Sequence, residues 1–360
     1  MARGSATWGR LPKKSYAWRC ANCMAKPAVF VTRQIPRGAL DRIHAVCDAD
    51  VWQQQLPPPA DVLREKLAHC DGVLSLLTDR FDATLMNDLP RLRVISNYAV
   101  GFNNIDITGA TESGIAVGNT PGVLTNATAD MAVCLLLAAA RRLIEGHDDA
   151  VSGKWKTWEP LGYIGQDLVG ATLGIVGMGR IGFTVAQRCR AAWDMRVLYA
   201  DTFRNQRAEE ELGATKVEFD DLLVRSDFVS VHADLNDQTR GMFDAAAFRR
   251  MKRTAVFVNS ARGPIVNQPD LVEALRSRTI FAAGLDVTDP EPPSADDPLL
   301  RLPNVIVAPH IASATVGTRN AMADIAADNL LLGLEGKPLR CWVNPEVAPR
   351  WRALARHSQG

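Results

Sequence analysis

The run Gly177-Met178-Gly179-Arg180-Ile181-Gly182 constrains this chain more than any other segment. It directly follows a strand pattern, Thr172-Leu173-Gly174-Ile175-Val176, and a helix pattern comes next. G-x-G-x-x-G between strand and helix is the form that binds a dinucleotide. Gly177 permits the tight turn, Gly179 lets backbone approach a pyrophosphate, and Gly182 lets helix and strand pack closely. A helix opening at Arg180 and Ile181 offers amide donors and the positive end of its dipole to phosphates. The next strand pattern, residues 196–200, ends at Asp201. A carboxylate there accepts hydrogen bonds from both ribose hydroxyls of NAD and repels the 2′-phosphate of NADP. Arg204 and Arg207 stand close enough to moderate that choice, so NADP stays open. The plainer alternative is that Asp201 only begins a loop.

Strand-like apolar runs alternate with helix-like segments almost throughout, which predicts a parallel α/β architecture. A first series has strand candidates at residues 28–31, 71–76, 92–96 and 115–117, with a helix near 61–69 and a turn at Asn119-Thr120-Pro121-Gly122. A long helix is expected from Asn126 to beyond Arg141. Residues 155–170, rich in Gly and Trp, read as irregular. A second series starts at Thr172, with strand candidates at 173–176, 196–199, 228–232, 255–259, 283–286 and 305–308. The Pro-rich stretch 289–303 reads as a loop, and a final helix is expected near 315–334.

At 360 residues there is room for two ordinary domains. The longest purely apolar stretch, residues 131–140, is too short to cross a bilayer. Basic and acidic side chains number 41 and 40, so charge gives no reason to expect nucleic acid or an anionic membrane as partner. Seven cysteines without framework spacing point to free thiols in a reducing, cytoplasmic setting. Cys20 and Cys23 form a lone C-x-x-C with no second pair, so no metal is expected. Residues 1–23 carry five basic side chains, no acidic ones and no apolar core of a secretory signal. They read as a disordered extension ahead of a start at Met24, or as a transit-like peptide.

Arg262, Glu291 and His310 stand out for chemistry. Arg262 and His310 each sit just past a strand candidate, and Glu291 follows another by a short loop. Parallel sheets place ligands beyond the carboxyl ends of their strands. An arginine fork can hold a carboxylate and polarise a carbonyl. A histidine can protonate the carbonyl oxygen as hydride reaches the carbon. A carboxylate beside that histidine favours its charged form. Taken singly, each has a plainer alternative: surface charge for Arg262, a solvated loop for Glu291, a core or capping role for His310.

Together with the glycine motif, these residues appear in one order with Asn97-Tyr98-Ala99-Val100-Gly101-Phe102-Asn103-Asn104-Ile105-Asp106 and Gly118-Asn119-Thr120-Pro121-Gly122-Val123-Leu124-Thr125. From Met24 to about Val347 the chain resembles the D-isomer-specific 2-hydroxyacid dehydrogenases, and within them the glyoxylate/hydroxypyruvate reductases. The resemblance implies that Arg262, Glu291 and His310 are catalytic. It also implies that the Val100-Gly101 amides hold a substrate carboxylate. Thr128, Asp286 and the Ser260-Ala261 backbone then contact the cofactor. The implied fold has two Rossmann-like doubly wound domains. Residues 24–121 plus 315–348 form a split, flavodoxin-like substrate domain, residues 122–314 form the inserted NAD-binding domain, and 349–360 are a tail. Helices near 126–145 and 315–334 would act as hinges. A homodimer is implied, with residues 155–165 as its arm, so Trp155 and Trp158 bear either on substrate choice or on dimer packing alone.

The expected reaction is reduction of glyoxylate or hydroxypyruvate by NADH to the D-2-hydroxy acid, with His310 as proton donor. Other family dehydrogenases, acting on 2-ketogluconate, phosphoglycerate or phosphite, are alternatives, as is an NADH-sensing corepressor-like binding protein. Ala312 stands where the family commonly has glycine, and Asn103 where it commonly has Asp. His232, at a strand end, reads as structural. Cys341-Trp342-Val343-Asn344-Pro345-Glu346 resembles the chain-end strand of these reductases.

Overall fold

The computed structural model describes residues 25–351. The basic leading segment with Cys20 and Cys23, the start at Met24, and residues 352–360 lie outside the described residues. Among the described residues, twelve strands form two wholly parallel sheets. The first contains β1 (Ala28–Val31), β2 (Asp48–Val51), β3 (Gly72–Ser75), β4 (Val94–Asn97) and β5 (Ala116–Gly118). Its order, β2-β1-β3-β4-β5, is flavodoxin-like. The second contains β6 (Thr172–Val176), β7 (Arg196–Ala200), β8 (Thr215–Lys216), β9 (Phe228–Val231), β10 (Val256–Asn259), β11 (Ala282–Leu285) and β12 (Val305–Val307). Its order, β12-β11-β10-β9-β6-β7-β8, is the Rossmann arrangement with one added strand.

The central strands are runs of apolar residues because helices cover both faces of each sheet. Every residue of β4, β6, β9 and β10 is buried. Each Val, Ile, Leu or Phe removed from water in this way contributes about 1.5–3 kcal/mol. The helix Thr125–Ala140 packs on β10 and β11. The helix Val316–Leu334 returns to the first sheet and packs on β3, β4 and Arg37–Val46. The second domain is thus inserted into the first. No helix among the described residues is long and apolar enough to cross a membrane.

Three expectations change. The helix expected to run past Arg141 ends at Ala140. The Ala140 carbonyl accepts from Gln166 N–H at 2.9 Å, Arg142 turns left-handed at φ 52°, and a separate helix, Leu143–Val151, begins. The expected chain-end strand at 341–346 reduces to one antiparallel bridge, Trp342 to Gly118. There the Asn344 side chain takes over from a backbone ladder, accepting from Val117 N–H and donating to the Ile115 carbonyl. The start of the tail is anchored: Trp351 packs on Trp342 and donates to the Arg93 carbonyl at 3.1 Å. Two strands, β2 and β8, were not anticipated.

Candidate active site

A cleft of about 490 Å³ opens where the loops after β3, β4 and β5 face those after β9, β10 and β12. It is lined by Val100 and Gly101 from one sheet's loops and by Ser260, Ala261, Arg262 and His310 from the other's, together with Thr128 and Ile181. Ligands collect at this position because strand carboxyl ends and helix amino ends converge there.

His310 stands just past β12 with φ 53°, a left-handed conformation that costs a non-glycine residue about 1–2 kcal/mol. Asp286 holds that turn. Its backbone carbonyl accepts from His310 N–H at 3.0 Å. Its carboxylate oxygens accept from Ile311 N–H at 2.8 Å and Ala312 N–H at 2.9 Å. Burial raises the Asp286 carboxyl above its ordinary value, against those two amide hydrogen bonds. Asp286 is only 1% exposed, so it stands behind the cleft wall, and the turn it holds presents His310. The sequence carried no signal for that clasp.

Glu291 reaches the imidazole from the Pro-rich loop. Its Oε1 lies 2.5 Å from His310 Nδ1. A carboxylate at Nδ1 orients the ring and leaves Nε2 as the nitrogen available to a ligand. Arg262 follows β10 and donates from Nη1 to the Ala261 carbonyl at 2.7 Å. Burial lowers its pKa, while Glu291 and Asp234 oppose that shift. Arg262 and His310 therefore line one cleft, and Glu291 joins it through His310. Facing them, the N–H groups of Val100 and Gly101, like those of residues 102–104 in the same loop, have no hydrogen-bond partner among the described residues. Two unpaired amides beside a guanidinium form a ready cradle for a carboxylate.

The glycine turn lies at the carboxyl end of β6. Gly177 has φ 91°, and a Cβ on Gly182 would sit 2.2 Å from the Gly177 carbonyl oxygen. Gly179 caps the helix Arg180–Trp193 and has open space where a side chain would be. Asp201 is at the end of β7, and its carboxylate accepts from Met178 N–H at 2.7 Å and Phe203 N–H at 3.0 Å. Asp201 thus shapes the turn as well as facing it. A nicotinamide dinucleotide fits these features. Phosphates would meet the open helix start, a ribose would meet Asp201, and the buried Ser260 hydroxyl, unpartnered among the described residues, lines the cleft.

His232 also lines the cleft, and its Nε2 lies 2.9 Å from the Ser230 hydroxyl. Burial pushes its imidazole down to about 3 from an ordinary 6.5. The unfolded chain therefore binds this proton at a higher pH than the folded one. The stabilisation is complete above about pH 6.5 and is lost as pH falls toward about 3. His232→Gln is expected to flatten the fall in melting temperature between pH 6.5 and 4. An unaltered slope in differential scanning calorimetry would refute this.

The fold and the glycine turn define a dinucleotide-binding scaffold, and comparison with known proteins narrows it. Residues 133–312 match the family model described as D-isomer specific 2-hydroxyacid dehydrogenase, NAD binding domain. The chain is 48% identical to a glyoxylate reductase of Korarchaeum cryptofilum over 323 residues, covering 89% of this chain and 97% of that relative. A crystal structure of a Thermus thermophilus protein superposes with a TM-score of 0.83 at 42% identity, covering 88% of this chain and 99% of the other. A glyoxylate reductase from Paecilomyes thermophila superposes with a TM-score of 0.79 at 31% identity, covering 90% and 99%. This chain belongs to the D-isomer specific 2-hydroxyacid dehydrogenases.

Proposed function

We propose that this dehydrogenase reduces a small 2-keto acid, glyoxylate or hydroxypyruvate, to its D-2-hydroxy acid with NADH. The 2.5 Å contact between Glu291 and His310, beside Arg262 and the unpaired Val100 and Gly101 amides, carries this reading. The two amides and the guanidinium hold the substrate carboxylate. Arg262 also polarises the keto oxygen. The bound nicotinamide supplies the hydride. His310 gives the proton to the developing alkoxide from Nε2, and Glu291 orients the ring through Nδ1. A small substrate suits the cradle, because the amides and Arg262 grip the same end of the molecule.

Preference for NADH over NADPH follows from Asp201. Arg204 is held by Glu209 at 2.6 Å, and Arg207 by Glu211 at 2.8 Å. Each arginine thus has a carboxylate partner, which weakens its offset to Asp201 before a 2′-phosphate. Steady-state assays of glyoxylate, hydroxypyruvate and phosphite with each cofactor test the reading. NADH should exceed NADPH in kcat/KM by about tenfold, equivalent to about 1.4 kcal/mol. Turnover with phosphite alone would overturn the substrate class.

The arm after the helix Leu143–Val151 leaves Trp155, Trp158 and Leu161 between 70% and 81% exposed. An apolar surface of this kind marks an interface. We assign it to a second copy of the chain, which makes a homodimer. Light scattering should then give about twice the 39.2 kDa chain mass. A monomer at micromolar concentration would exclude that assembly.

A further inference from the structure

We infer that Asn103 is a positioning residue for Arg262, and that its neutral amide sets how strongly the cleft discriminates among anions of different charge. The inference rests on the reading of Arg262 as the group that grips the substrate.

The three guanidinium nitrogens have distinct surroundings. Nε donates to Asn103 Oδ1 at 3.2 Å, across the cleft from one sheet's loops to the other's. Nη1 is taken by the Ala261 carbonyl. Nη2 has no partner among the described residues and lies over Gly101, where a Cβ would sit only 1.9 Å from it. With two nitrogens tied, the third is aimed at the loop whose Val100 and Gly101 amides are also unpaired. One nitrogen thus lies beside a loop with two unpaired amides, and the Asn103 bond fixes that direction.

Asn103 is itself held in place by its neighbours. Asn97 Nδ2 donates to the Gly101 carbonyl at 2.9 Å. Asn104 Nδ2 donates to the carbonyls of Leu76 at 3.2 Å and Asp79 at 2.9 Å. The loop therefore presents Asn103 from a pinned base. The choice of amide over carboxylate matters because Arg262 already senses two carboxylates, Glu291 and Asp234. A third negative charge at position 103 would oppose an incoming anion in proportion to that anion's own charge. The amide supplies the same acceptor without the charge.

Titration calorimetry of the NADH-loaded full chain with oxamate, a monoanion, and oxalate, a dianion at neutral pH, tests both parts. Asn103→Asp should raise the oxamate Kd by about threefold and the oxalate Kd by about tenfold. Asn103→Ala removes the tether without adding charge, so it should weaken both anions by a similar factor, about tenfold, and lower kcat/KM for glyoxylate to match. Asn103→Asp weakening both anions equally would overturn the charge argument. Asn103→Ala binding both anions within twofold of wild type would overturn the tether. The functional reading fails separately, if the wild-type chain binds both anions yet reduces neither glyoxylate nor hydroxypyruvate. The titrations still decide the role of Asn103 in that case.

Discussion

Replacing His310 with alanine is expected to lower turnover by about 10²–10⁴-fold while leaving NADH affinity nearly unchanged, the range typical for loss of a positioned proton donor. The alkoxide that forms at the former keto carbon would then have to take its proton from water. The turn that carries residue 310 should survive, because Asp286 holds it through the backbone amides of Ile311 and Ala312 rather than through the imidazole. Cofactor affinity, followed by the change in NADH fluorescence on binding, is therefore the control. A variant turning over within a few-fold of wild type would remove His310 from the chemistry. A variant that lost NADH binding as well would make residue 310 structural.

Arg262→Ala should have the second large effect, on kcat/KM more than on folding. Truncating one member of a buried, charged contact costs about 2–5 kcal/mol, or roughly 30-fold to several thousand-fold. On the proposed reading, the lost partner is the substrate carboxylate and its keto oxygen. Arg262→Lys keeps the charge but not the planar fork, so it should recover part of the KM effect and little of the kcat effect. The alanine variant also leaves Glu291 without the cation that it faces. Steady-state constants with glyoxylate decide the matter. An alanine variant within threefold of wild type would show that the Val100 and Gly101 amides bind the substrate unaided.

Much of the architecture was legible because it is encoded locally. Continuous apolar runs such as those at β6, β9 and β10 signal strands covered on both faces, and each was found within a residue or two of its expected bounds. The glycine turn was legible for the same reason, since backbone sterics act over neighbouring residues. Strand β2 was missed because Asp48-Ala49-Asp50-Val51 lies at a sheet edge and is half exposed. Its pairing with β1 is made by backbone groups, which leave no mark on side-chain pattern. The end of the first long helix was missed because the donor that occupies the Ala140 carbonyl comes from a returning segment, at Gln166.

The sequence by itself determined the two parallel α/β series, the nucleotide turn and, through an ordered set of motifs, the residues to watch. Periodicity and turn chemistry act between near neighbours, so they can be read in one dimension. Only the tertiary structure decided that Arg262 meets Asn103 from 159 positions away, that Asp286 clasps the turn of His310, and that the amides of Val100 and Gly101 remain unpaired. Those facts depend on how two sheets face each other across a cleft. That relation is set by the packing of whole helices, and no local stretch of the chain encodes it.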